Sequence, residues 1–226
     1  MKVSLNSISK FYTDAQRELK VIDNLSYDFP ENSSIAITGR SGIGKTTLLY
    51  LLAGLDNLNS GQILYNDKDI YKLNENELAN FRSNKIGFIF QFHNLLGEFT
   101  AVENVSIPLI LSGMNESQAN IQSKEILEYL GLEDRFDHIP SQLSGGEQQR
   151  VAIARAIVNE PEVILADEPT GNLDIETASI IEDLLLDLNK KLNSTLIIMT
   201  HSMNLAQKMD LVLKMKPGGN LGEVKQ

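Results

Sequence analysis

Hydrophobic and polar positions alternate between two regimes along the chain. Leu25, Tyr27 and Phe29 alternate with polar residues, the period of a half-buried strand. Ser34–Thr38 is a short β-rich run that stops at Gly39. After a glycine-rich turn, residues 46–55 read as a buried helix. Residues 62–65, flanked by Gly and Asn, predict an antiparallel edge strand, and residues 86–90 another short strand. From about residue 100 to residue 150 the spacing becomes almost wholly helical. Asn115 caps a predicted helix over 116–130 that stops at Gly131, Pro140 interrupts the pattern, and a new helix starts at Ser144. Strand signals return at 163–166 and at Thr195–Met199, with a long helix over Ile175–Leu192 between them. Beyond Lys216, Pro217, Gly218, Gly219 and Asn220 form a turn. Strands, a helical block, then strands again predict an α/β core carrying an inserted helical subdomain.

Composition narrows the function classes. The chain has 226 residues, 42% hydrophobic and 22% charged, as a soluble globular protein has. There are 20 Lys and Arg against 30 Asp and Glu, a formal charge of −10. That disfavours general nucleic-acid binding, which needs a basic surface. No cysteine is present, so disulfides, thiolate metal ligands and a cysteine nucleophile are out. No apolar stretch reaches the length of a membrane span, and the first twenty or so residues lack the apolar centre of a signal peptide. The expectation is a cytoplasmic protein; any membrane span must come from another chain.

Candidate chemistry begins at Gly39, Arg40, Ser41, Gly42, Ile43, Gly44, Lys45 and Thr46, a G-x-x-x-x-G-K-[ST] loop between a strand and a helix. Glycine lets backbone N–H groups close around phosphates, and the following helix turns its positive end to the same anion. Lys45 reaches the β- and γ-phosphates, Thr46 offers a hydroxyl to Mg²⁺, and Thr47 lies one residue further in. Residues 163–168 add an apolar strand ending in Asp167 and Glu168. Asp167 is expected to hold Mg²⁺ through water and Glu168 to act as general base on the attacking water. A second anion-binding helix start lies at Ser144, Gly145, Gly146 and Glu147, where Ser144 and Glu147 form a capping box. One nucleotide needs only one such site.

The segment Leu143 to Arg150 resembles the signature motif of ATP-binding cassette (ABC) ATPases, and the other landmarks of that family follow in order. The loop at Gly39 resembles Walker A, and residues 163–168 resemble Walker B. Gln91 resembles the Q-loop glutamine, residues 171–174 the D-loop, and His201 the switch histidine. Tyr12, or its neighbour Phe11, resembles the ring that stacks on adenine. The resemblance spans nearly the whole chain. It implies a P-loop NTPase core, RecA-like with a mostly parallel sheet, plus N-terminal antiparallel strands. Residues 1–91 and 150–226 would form that core and 92–149 the helical subdomain of one ABC ATPase domain.

The same resemblance implies ATP and Mg²⁺ as cofactors. It implies a head-to-tail homodimer in which each ATP lies between the Walker A loop of one chain and Ser144 to Gly146 of the other. Gln91 would touch Mg²⁺ and the attacking water, His201 the γ-phosphate, and Asp174 would cross the interface. Residues 90–105 are similar to the ATPase subunits of lipoprotein-releasing (Lol) systems, with departures at Asn94, Gly97 and Val102. Macrolide-export-type and cell-division-type complexes are the alternative. Residues 92–99, with apolar Phe92, Leu95, Leu96 and Phe99, are the expected docking surface for separate membrane subunits; an apolar loop packed on its own helices reads equally from those residues. The expected location is the cytoplasmic face of the inner membrane. A DNA-repair or translation ATPase is disfavoured because the chain between Lys45 and Ser144 is too short for a coiled coil and there is one cassette. A non-hydrolysing scaffold is disfavoured by Lys45, Asp167, Glu168 and His201. A small-molecule kinase would not explain the signature segment. His93 and His138 carry no metal-ligand pattern, and the acidic stretches 74–77 and Glu182-Asp183 read as solvated helix faces.

Overall fold

The computed structural model describes residues 1–14 and 17–224. Two sheets share one molecule. The first is antiparallel, in the order β2 (Arg17–Phe29), β1 (Val3–Asp14), β4 (Ser60–Tyr65), β5 (Lys68–Asp69). The second runs β10 (Leu221–Glu223), β9 (Leu211–Met215), β3 (Ser34–Thr38), β8 (Thr195–Met199), β7 (Val163–Asp167), β6 (Ile86–Ile89). All pairings in it are parallel except β9 with β10. The fold class is therefore the expected one: an α/β core with a mostly parallel sheet, antiparallel N-terminal strands and an inserted run of helices.

Continuous apolar strands are explained by burial on both faces. Along β7, Val163 and Leu165 face one buried cluster, shared with α1 (Lys45–Leu52) and the antiparallel sheet. Ile164 and Ala166 face the other, shared with α5 (Gly145–Ile157), α6 (Ile175–Leu192) and the helical block. Ile197 and Met199 of β8 split from Leu196 and Ile198 in the same way. A one-residue slip would swap the two sets, so register is firmly specified.

The helical block holds α3 (Ala101–Leu111) and α4 (Glu116–Tyr129), with short 3-10 turns at Glu133–Arg135 and Pro140–Gln142 before α5. Asn115 caps α4 through Gln118 N–H, as its position predicts. Several boundaries differ from the sequence reading. The helix expected over 46–55 ends at Leu52, where Ala53 caps it. β4 is paired on both sides, by β1 and by the two-residue β5, rather than forming an edge. The sequence pattern did not reveal β1, α7 (Met203–Lys208) or β9, and of α2 (Glu75–Lys85) it read only the acidic start as a helix face. The acidic stretch at 74–77 is exposed, with Asn74 and Glu77 forming the capping box of α2. At the other acidic stretch, Glu182 is not solvated: it is 4% exposed and takes hydrogen bonds from Ser202 and Lys208, while Asp183 stays at the surface.

Candidate functional site

Four neighbouring strands of the parallel sheet deliver the candidate residues at their carboxyl ends. β3 runs into the Gly39 loop, β8 into Thr200 and His201, β7 ends at Asp167 before Glu168, and β6 leads to Gln91. Carboxyl ends of parallel strands are where open α/β sheets bind ligands. The cleft there measures about 620 Å³. Ser41, Gly42, Gly44, Lys45, Thr46 and Thr47 line it with Gln91, Asp167, Glu168, Gly171 and His201. Gly39, Arg40 and Ile43 shape the loop from outside that lining: Gly39 and Arg40 offer carbonyls to Lys45 at 3.0 and 3.4 Å, and Ile43 N–H closes back onto Arg40 O. Gly44 has φ +109°, and a Cβ there would meet Val21 Cγ1 at 2.6 Å, so the turn into α1 admits only glycine.

Lys45 is buried, and its Nζ lies 3.1 Å from His201 Nε2. His201 Nε2 is also 3.3 Å from Glu168 Oε1, a buried oxygen with no hydrogen-bond partner. The other oxygen, Oε2, accepts the His201 backbone N–H at 3.0 Å. Burial pushes the Glu168 carboxyl upward against the pull of His201 and Lys45. Glu168 lines the cleft, and a carboxyl raised in this way is suited to accept a proton from water. Glu168 also has φ +45°, a strained backbone for a non-glycine residue. Asp167 is buried, which raises its carboxyl, and Thr46 and Lys45 oppose that shift.

Thr46, Asp167 and Gln91 supply oxygen donors only, the set that suits Mg²⁺. The unpartnered Glu168 oxygen beside them fits a cation-bound water in the same cleft. Among the described residues no cluster of His, Cys, Asp or Glu stands ready to hold a metal by itself.

Tyr12 is brought to the cleft and Phe11 is not. Tyr12 Oη donates to Asp56 Oδ2 at 2.8 Å, and Lys10 Nζ reaches Asp56 Oδ1 at 2.6 Å. Lys10 also lies 4.7 Å from the Tyr12 ring centroid. Burial alone would raise the Asp56 carboxyl, but the Lys10 and Tyr12 hydrogen bonds outweigh it and hold it low. The ring is thus fixed by two groups while 44% of the residue stays exposed for stacking. Leu19, paired with Tyr12 across β1 and β2, lines the same cleft and was missed in the sequence. Its alternation with Val21 was the available signal.

The second anion site lies elsewhere. Ser144, Gly145, Gly146 and Glu147 line a cleft of about 360 Å³ with Asn172, Leu173 and Asp174, and no residue of it belongs to the Lys45 cleft. Ser144 Oγ accepts from Glu147 N–H, and Glu147 Oε2 accepts from Ser144 N–H. Gly146 has a packing reason beyond anion access: a Cβ would stand 2.5 Å from Thr177 Cγ2 on α6. The Asp174 side chain caps α6 through Thr177 N–H, which keeps its carboxyl below the usual range. Gly171 of the Lys45 cleft and Asn172 of the second cleft are adjacent in sequence.

Glu147 also predicts an acid response. The Ser144 N–H and Arg135, whose Nε lies 2.7 Å from Oε1, hold this carboxyl at about 2, down from 4.5. Its stabilisation is therefore complete above pH 4.5 and lost as pH falls toward 2. Glu147→Gln should flatten the fall in melting temperature across that window relative to the parent chain. Equal slopes would show that the carboxylate is not held this way.

Residues 22–171 match the sequence profile of the ABC transporter family. The chain is 45% identical over 216 residues to the lipoprotein-releasing system ATP-binding protein LolD of Syntrophus aciditrophicus, covering 96% of this chain and 97% of that one. It is 49% identical over 209 residues to LolD of Legionella pneumophila strain Paris, covering 92% of each. Among solved structures it is similar to the ATP-binding cassette MJ0796 in a dimeric post-hydrolysis state with ADP and phosphate. The TM-score is 0.90 at 37% identity, over 99% of this chain and 98% of that one.

Proposed function

The chain belongs to the ABC transporter family as an ATP-hydrolysing cassette, and from that premise we propose that it drives a lipoprotein-releasing complex at the inner membrane. Identities of 45% and 49% to LolD proteins, over nearly whole chains, support the cargo. The observation that carries the mechanism is the delivery of Lys45, His201, Asp167 with Glu168, and Gln91 from four adjacent strand ends into one cleft.

Hydrolysis needs a nucleophile, charge compensation and an excluded solvent. The Gly39–Thr46 loop and Lys45 bind the β- and γ-phosphates, and Tyr12 with Leu19 seats the base. Glu168 Oε1 takes the proton of the attacking water. His201, released from Lys45 when phosphate takes the lysine, turns to the γ-phosphate. Thr46, Asp167 and Gln91 would hold Mg²⁺, which would supply charge compensation to the phosphates. Because Ser144 to Gly146 lie outside the Lys45 cleft, they serve the ATP of a second copy placed head to tail. Ile175, 86% exposed, lines a cavity with Glu168 and His201, an apolar surface for that copy to cover.

No helix of the described residues is long and apolar enough to cross a membrane. Likeness to LolD proteins supports a cassette working on the cytoplasmic face, docked on separate membrane subunits. We infer that the docking surface read in sequence at residues 92–99 extends into a neighbouring groove. Leu95 packs inward on the helical cluster, while Phe92, Leu96 and Phe99 stay exposed. Next to them a groove of about 470 Å³ runs between α2, β6 and α3, with Leu55, Phe88, Phe90 and Leu111 as its apolar lining and Arg82 and Arg155 at its rim. Phe88 and Phe90 stack at 4.3 Å between centroids. Arg155 holds His93 O and Asn94 O at 2.7 Å each, which ties α5 to the loop after Gln91. A short helix from the membrane subunit suits this groove. Leu111 is 79% exposed, and Leu111→Asp should weaken assembly by about 2–4 kcal/mol. ATP hydrolysis by the isolated chain should not change. Normal co-purification of this variant with the membrane subunits would remove the groove as the docking site.

A further inference from the structure

We propose that Glu182 is a positioning residue for hydrolysis, clamping both ends of α7 so that His201 is held at the Lys45 cleft. It rests on the reading of His201 as the γ-phosphate contact. α6 is amphipathic, and Ile181, Leu185 and Leu188 on its inner face are buried. An apolar residue at 182 would satisfy packing alone, and a buried carboxylate is costly without partners. Both Glu182 oxygens are used on one short helix. Oε1 accepts from Ser202 Oγ at 3.0 Å, and Ser202 is the N-cap of α7, with Oγ accepting from Leu205 N–H. Oε2 lies 3.4 Å from Lys208 Nζ, in the last turn of the six-residue α7.

The clamp reaches the site in one residue. Ser202 N–H donates to Thr200 Oγ1 at 2.9 Å, Thr200 N–H to Ile37 O on β3, and His201 N–H between them to Glu168 Oε2. His201 is thus fixed by the sheet on one side and by the Ser202–Glu182 contact on the other. Glu168, His201, Ser202 and Glu182 line one cavity of about 560 Å³ beside the cleft. Lys208 adds Asp183 at 2.8 Å, a surface contact that anchors its own position.

The test is steady-state ATP hydrolysis by the full chain carrying Glu182→Leu, Ser202→Ala, and both, each in the parent and in a His201→Ala background. Glu182→Leu should lower kcat roughly tenfold through misplacement of His201, with KM for ATP within about twofold. Ser202→Ala should do the same, and the double variant should be no slower than either single one. Glu182→Gln keeps an acceptor for Ser202 and should restore turnover to within about threefold of the parent. In the His201→Ala background Glu182→Leu should cost nothing further. An unchanged kcat in Glu182→Leu, or an equal drop with and without His201, overturns the proposal while leaving the His201 role standing. That role is read separately from His201→Ala alone, and full turnover there would overturn both. If Glu182→Leu does not fold, Ser202→Ala decides, since it removes only the hydroxyl: parental kcat in it overturns the clamp.

Discussion

Glu168→Gln should lower ATP turnover by roughly 10²–10⁴-fold while ATP binding is kept. The amide is the same size, so the strained turn and the acceptor for His201 N–H survive, with Oε1 of glutamine in place of the carboxylate. What is lost is the basic carboxylate of a cleft-lining residue, whose Oε1 has no hydrogen-bond partner. On the proposed mechanism Lys45, Thr46 and Asp167 would still bind the phosphates and Mg²⁺. ATP should therefore hold two chains together without being consumed, seen as a stable dimer by size measurement with ATP and Mg²⁺. Turnover near the parental rate would sink the assignment of Glu168 as general base.

Ser144→Arg is expected to abolish hydrolysis without weakening ATP binding to a single chain. Ser144 lines the cleft shared with Asn172 and Asp174, away from Lys45, so a single chain does not need it to hold the nucleotide. Replacing the cap costs about 1 kcal/mol, too little to unfold α5, and the long cation blocks the surface where a second copy's ATP would press. Lys45→Ala fails in the opposite way, keeping the signature segment and losing the phosphate contact. An equal mixture should regain about a quarter of parental activity. Half of the dimers are then mixed, and each has one complete composite site of two. No activity in mixed dimers would contradict assembly of the site from two chains.

What could be read from sequence follows from how local each signal is. β7 and β8 were legible because both of their faces are buried, so every residue but Asp167 and Thr195 is apolar. β1 was not, because its register shifts between Leu5 and Ile8, where Ser7 takes φ +49°, and the alternation changes phase. α7 has six residues, too few for a helical period to show. The site motifs are contiguous in sequence and were found whole. Contacts between distant segments were invisible: Lys45 with His201, Asp56 beneath Tyr12, and Glu182 against Ser202. Glu182 next to Asp183 looked like surface charge, since nothing local says that a carboxylate on an inner helix face has partners on another element. The groove at Phe88, Phe90 and Leu111 is assembled from segments far apart in the chain, among them α2, β6, α3 and α5, so the sequence suggested only its neighbouring loop.

The central claim is that this cassette turns ATP hydrolysis into lipoprotein release. It is tested most directly by placing the chain with its membrane subunits in lipid vesicles loaded with a lipid-anchored protein, adding a soluble acceptor, ATP and Mg²⁺, and measuring the lipoprotein that leaves the membrane. The account predicts ATP-dependent release that stops with Glu168→Gln and with Leu111→Asp. ATP hydrolysis at full rate with the lipoprotein still in the vesicles would contradict it.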